Sequence, residues 1–134
     1  MDARSKFLGV LISVKPQYAL LIVAGIKRYE LRRRFSKDLH EGTKAIVYAS
    51  NPISAVVGEA IIKKVHTLSL PDLWNLVAID AMISKNEFIS YYEGLQTGYA
   101  IEMTSALRYE HPVALKNHTE TKRFTRPPQS YQFL

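Results

Sequence analysis

A chain of 134 residues, 47% hydrophobic and with a formal net charge of +6, is long enough for one domain with a real core and too short to expect two. It has no cysteine, which excludes disulfide frameworks, zinc-thiolate sites and thiol nucleophiles. The longest apolar run, Tyr18 to Ile26, falls far short of the roughly 20 residues a membrane span needs, and Asp2 and Arg4 before a short apolar stretch make no secretory signal, so the expected location is cytoplasmic.

The charge is unevenly placed. Arg4, Lys6, Lys15, Lys27, Arg28, Arg32, Arg33 and Arg34 stand against only Asp2 and Glu30 in the first 34 residues, and the remainder of the chain is balanced. Such a local excess attracts phosphate or an acidic surface. It is densest in GIKRYELRRR, residues 25–34, where a single acid, Glu30, is embedded among five bases.

In chain order, Phe7 to Lys15 mixes apolar and β-branched residues and stops at Pro16, the pattern of a mostly buried strand. Pro16 suits a first helical position, Tyr18, Leu21, Ile22 and Gly25 share one helical face, and Gly25 is placed to end the helix in a left-handed conformation. That helix is apolar on nearly every side and is expected to be buried. Arg28 to Arg34 reads as a strand with Tyr29, Leu31 and Arg33 on one face and Arg28, Glu30, Arg32 and Arg34 on the other. A turn at His40-Glu41-Gly42 leads to a strand from Lys44 to Ser50. A turn at Asn51-Pro52 then joins it, hairpin-like, to a long strand from Ser54 to about Thr67, in which Gly58 marks a candidate bulge.

Ser69 with Pro71 opens a helix expected to reach Ile83. Ser84 with Glu87 forms a capping box for a second helix ending near Gly94, whose aromatic face of Phe88, Tyr91 and Tyr92 reads as core. Tyr99, Ile101, Met103, Ser105, Leu107 and Tyr109 alternate with polar or small residues, predicting a half-buried strand. Residues 115–134 form a polar tail that ends in RPPQSYQFL, an extended segment expected to dock on the body. The order β-α-β-β-β-α-α-β, with strands in runs, predicts an α+β fold: a mixed, largely antiparallel sheet or small barrel with peripheral helices.

No metal or catalytic motif is evident. His40, His66, His111 and His118 are scattered without ligand spacing, no phosphate-binding glycine loop is present, and Glu59 reads as a solvent-facing strand acid. No cofactor or metal is expected.

Four segments carry a resemblance. SVKP at Ser13 to Pro16, the pattern Gly-x-Lys-x-x-Glu-x-Arg at Gly25, Lys27, Glu30 and Arg32, YASNP at Tyr48 to Pro52, and PPQSYQFL at Pro127 to Leu134 together resemble an ASCH domain of the small single-domain prokaryotic type. The resemblance covers nearly the full length, residues 1–134 as one domain. It implies a PUA-like β-barrel with a cleft between barrel and helices, and binding of RNA or single-stranded nucleic acid, a modified nucleotide among the candidates, in RNA metabolism or in regulating translation or transcription. The implied nucleic-acid-binding residues are Ser13, Lys15, Lys27, Arg28, Glu30 and Arg32. Lys27 would offer a mobile point charge to a phosphate and Arg32 a planar fork to a phosphate or base edge. Glu30 would hold an arginine in place or accept a base amino group.

Two alternatives accompany this reading. A branch of the same superfamily is similar to hydrolases of acetylated cytidine that use a lysine, a threonine and a glutamate. Here Lys27 matches the lysine, Glu30 stands where the threonine would be, and Asp80 matches the glutamate only loosely, so an enzyme of that type is not expected. Lys27, Glu30 and Arg32 could instead assist phosphoryl transfer, as in a ribonuclease, with Lys27 and Glu30 the catalytic candidates. A protein-interaction module is the third class. The chain is expected to act as a monomer, with no membrane partner.

Overall fold

The computed structural model describes residues 9–36, Leu39 and 41–134. Six strands form one sheet, β1 (Gly9–Val14), β2 (Tyr29–Arg32), β3 (Lys44–Ala49), β4 (Ala55–Ser69), β5 (Thr97–Val113) and β6 (Tyr131–Phe133), in the order β2-β5-β4-β3-β1-β6. β1 runs parallel to β3 and every other pair is antiparallel, which is the mixed, largely antiparallel sheet expected. The helices are α1 (Pro16–Val23), α2 (Leu70–Val77) and α3 (Lys85–Tyr91), with a short 3-10 turn at Leu115–Asn117. Among the described residues no helix is long and apolar enough to cross a membrane.

The sheet curls into a half-barrel whose two edges meet without pairing. Arg32 on β2 reaches Ser130, just before β6, and the rings of Phe35 and Tyr131 stand 4.6 Å apart across the same seam. Inside the curl, Val10, Ile12 and Val14 of β1, Val47 of β3, Ile62 of β4 and Ile101 of β5 pack around Ala19, Ile22 and Val23 of α1. The outer face is covered in two separate places. Leu73, Val77, Phe88 and Tyr92 of the second and third helices lie on Tyr29, Leu31 and Ala100, while Leu115 and Phe124 of the tail lie on Leu11, Ile46 and Tyr48.

Local chemistry explains the helix ends. Gly25, with φ of +77°, closes α1 in a Schellman arrangement, Ile26 N–H donating to Leu21 O at 3.0 Å and Gly25 N–H to Ile22 O. The expected capping box is present: Glu87 N–H donates to Ser84 Oγ at 3.1 Å, and the Ser84 N–H donates back to the Glu87 carboxylate. Gly58 sits where the register of β4 shifts against β5, as a bulge.

Several expectations need correction. The α1 helix is only half buried: Ala19, Ile22 and Val23 lie in the core, while Tyr18 and Leu20 pack against it and, like Leu21, stay partly exposed. The second helix stops at Val77 instead of Ile83, because the chain turns to bury Ala81 and passes through a left-handed residue at Met82, φ +60°. β2 ends at Arg32, where Arg33 leaves to donate to the carbonyls of Tyr91 and Glu93 at the end of α3. β5 alternates between two faces as far as Met103, but it is not half-buried there, since Ala100 is covered by the helices, and beyond Met103 the alternation fails. Ser105 has φ +53°, the register shifts repeatedly, and Leu107 is exposed. His40, and Phe7 and Leu8 at the start of the first strand, lie outside the described residues.

Candidate functional site

The seam between the edges opens into a cleft of about 580 Å³. One wall is the β1–α1 junction with Lys15 and Tyr18, the other is α3 with Glu87, Ser90 and Tyr91, and Gln129 of the tail closes one end. The floor is Lys27, Glu30 and Arg32. Glu30 and Arg32 reach it because Glu30 pairs across to Ile101, an interior residue, so β2 turns Glu30 and Arg32 inward and Tyr29 and Leu31 outward.

Lys27 is not a mobile charge. It is 3% exposed, its Nζ donates to Ala81 O at 2.5 Å, and the ring of Tyr18 lies 5.2 Å away. Burial pushes its ammonium below the usual lysine range, and the nearby carboxylate of Glu30 opposes that shift.

Arg32 is committed within the protein. Its Nε donates to Glu30 Oε2 at 3.1 Å, Nη2 forms an ion pair with the same oxygen at 2.9 Å and donates to Ser13 O at 2.7 Å, and Nη1 donates to Ser130 Oγ at 3.0 Å and, more weakly, to Ser130 O at 3.5 Å. All three nitrogens of the guanidinium are therefore engaged with protein acceptors, which leaves Arg32 little capacity for a phosphate or a base. Ser13 is committed likewise: its hydroxyl donates to Pro128 O at 2.6 Å and its N–H to Ser130 O. Both line the cleft while serving to fasten the tail across the seam.

Glu30 is different. Both contacts from Arg32 fall on Oε2, and among the described residues Oε1 has no hydrogen-bond partner. The side chain is 8% exposed and, among the described residues, no polar side-chain atom is both fully buried and unsatisfied, so Oε1 is the oxygen that meets the cleft.

Arg28, grouped with these residues on sequence, is not part of the cleft lining. Its exposed guanidinium pairs with Asp80 at 3.3 Å and lies over the ring of Tyr29. Glu30 therefore holds Arg32 alone. The basic run is dispersed: Arg28 faces Asp80, Arg32 faces Glu30, Arg33 caps α3, and the charged lining of the cleft is Lys15, Lys27 and Arg32 against Glu30 and Glu87. Tyr18, Tyr91 and Gln129 were not among the sequence candidates. Tyr91, read as core, lines the cleft and donates from its hydroxyl to Leu31 O. Tyr48, which opens the YASNP segment, is buried on the outer face of the sheet. Glu59 does not face solvent freely either. It accepts from the Tyr109 hydroxyl at 2.6 Å, in a network with His118 and Lys44 away from the cleft.

A curled mixed sheet with a seam cleft floored by the Gly-x-Lys-x-x-Glu-x-Arg residues defines an ASCH-type domain of the PUA-like α+β class. The structure superposes on the crystal structure of ASCH from Zymomonas mobilis with a TM-score of 0.86 and 26% identity, covering 99% of this chain and 89% of that one. Residues 8–122 match the family described as domain of unknown function (DUF365), and the chain belongs to that family. Among characterised sequences, an "ASCH domain-containing ribonuclease" of Zymomonas mobilis is 28% identical over 125 residues, 92% of this chain and 82% of that protein. A "Large ribosomal subunit protein uL22" of Ureaplasma parvum is 25% identical over 125 residues, 93% of this chain and only 39% of the length of that relative.

Proposed function

We propose that this protein binds single-stranded RNA, seating one nucleotide in the seam cleft. The observation that carries the reading is the cleft floor, where a desolvated lysine and a carboxylate locked by arginine present an unspent donor and an unspent acceptor inside a volume suited to one nucleotide. Exposed Lys15 at the rim would meet a flanking phosphate, while Tyr18 and Tyr91 offer ring surface on opposite walls. The names of the ribonuclease and ribosomal relatives agree with an RNA ligand. Ser13 and Arg32 support the site by holding its shape, and Arg28 adds an exposed charge outside it.

Fluorescence anisotropy with labelled oligoribonucleotides tests this. Affinity should fall as salt rises, with a shallow slope reflecting one or two phosphate contacts and not a long basic track. Failure to bind any single-stranded RNA overturns the proposal.

The ribonuclease name of the Zymomonas mobilis relative favours a second reading, in which the bound strand is also cleaved. Lys27, whose lowered pKa suits proton transfer, is then the candidate base. Incubating an end-labelled oligoribonucleotide with wild type and Lys27→Met decides it: fragments formed only by wild type support cleavage, and an intact strand confines the function to binding.

A further inference from the structure

Resting on the RNA reading above, we infer that the α3 wall of the cleft reads the sugar, with Glu87 accepting a hydrogen bond from a ribose 2′-hydroxyl, so that RNA is told from DNA whatever base is seated. The two walls differ in charge. Val14 and Ala49 are paired neighbours at the ends of the parallel strands β1 and β3, so Lys15 and Ser50, which follow them, stand side by side on one wall. Lys15 is exposed and, among the described residues, has no ion-pair partner. A phosphate is drawn to that wall. The opposite wall carries Glu87, whose carboxylate repels phosphate and accepts only.

Glu87, Ser90 and Tyr91 stand at i, i+3 and i+4 of α3, which sets them on one helix face about 5–6 Å apart, and all three line the cleft. Oε1 of Glu87 takes a long contact of 3.5 Å from the Ser84 N–H, while among the described residues Oε2 and the Ser90 hydroxyl have no hydrogen-bond partner. A base stacked on Tyr91 carries its sugar at the ring edge, within one helical turn of Glu87. What the carboxylate needs is a donor. Within a strand the phosphate and ring oxygens of the backbone only accept, so the 2′-hydroxyl is the one donor the backbone owns, and deoxyribose lacks it. Base N–H groups are the rival donors, and they change from base to base. A preference that stays constant when the base changes therefore belongs to the sugar.

The 2′-fluoro oligomer is the cleanest comparison, since fluorine keeps the sugar pucker of RNA and cannot donate. At constant salt, oligouridylate should bind about tenfold more tightly than its 2′-fluoro counterpart, the scale of one hydrogen bond to a charged group, and oligocytidylate should show the same ratio. Glu87→Ala should bring both ratios close to one while holding the 2′-fluoro oligomers at least as well as wild type, which shows that the cleft is still formed. Glu87→Gln, which preserves the capping box and leaves a neutral, weaker acceptor, should give intermediate ratios. Equal binding of ribose and 2′-fluoro oligomers by wild type overturns this inference and leaves RNA binding standing. A preference seen with one base only assigns the contact to a base edge and overturns it too, as does a full preference retained by both variants. Absence of binding to either ribose oligomer removes the RNA reading itself, and this inference with it.

Discussion

Removing Arg32 should cost far more than removing an ordinary surface base. In Arg32→Ala the carboxylate of Glu30, 8% exposed, loses its counter-ion, Ser13 O and Ser130 Oγ lose the arginine as a donor, and Ser130 O keeps the Ser13 N–H. Stranding one partner of a buried ion pair costs about 3–5 kcal/mol. For a domain of this size each kcal/mol moves the melting temperature by about 3–5 °C, so a fall of roughly 10–20 °C is expected by circular dichroism. The variant Glu30→Gln/Arg32→Ala should then recover about 1–2 kcal/mol, because the stranded charge is gone. A single variant that melts within about 3 °C of wild type, the range of a solvent-exposed pair, would refute the claim that Arg32 is structural. A double variant no more stable than the single one would refute the stranded carboxylate as the cause.

Truncation before Pro127 should lower stability by about 2–3 kcal/mol, since it deletes the ladder of β6 on β1 and the half-buried rings of Tyr131 and Phe133; an unchanged melting curve would contradict the docking. Lys27→Met should flatten the pH dependence of stability. Because burial lowers the folded-state pKa below 10.5, the unfolded chain binds more protons between that lowered value and 10.5, so wild-type stability rises with pH across this interval, and urea titrations should show that rise in wild type only. Gly58→Ala should cost about 2–3 kcal/mol, because the added Cβ would meet Leu107 O and the side chain of Val23, and neither a strand carbonyl nor a core valine yields cheaply; thermal melting measures it.

What was legible in the sequence was whatever short-range chemistry decides. Pro16 opens α1, Gly25 closes it, Ser84 with Glu87 starts α3, and the β3–β4 hairpin follows from Asn51-Pro52 between two apolar runs; each depends on residues within a few positions. That Glu30 and Arg32 share one strand face opposite Tyr29 and Leu31 was also readable from alternation, whereas the inward direction of that face was not. The fate of each charge in the basic run was not. Arg32 finds Ser130 98 residues away, and Lys27 finds Ala81 54 residues away, so only the closed sheet reveals that one is spent and the other buried. For the same reason the place of Arg28 outside the cleft was not readable: its partner Asp80 lies beyond the early end of α2, past Val77. On β5, strand alternation could not foresee the turn at Ser105, which is a response to the curl of the sheet.

The long ribbon of β4 and β5 runs through all three packed clusters, giving Val57, Ile62 and Ile101 to the interior, Ala100 to the face under the helices, and Val56 and Tyr109 to the face under the tail. The two walls of the cleft therefore belong to different layers that share one backbone. Opening the cleft by swinging α1 away from α3 would shear that ribbon and disturb every layer together, so the gap behaves as a gauge of set width and not as a jaw. Unfolding, when it comes, takes the walls and the floor in a single step.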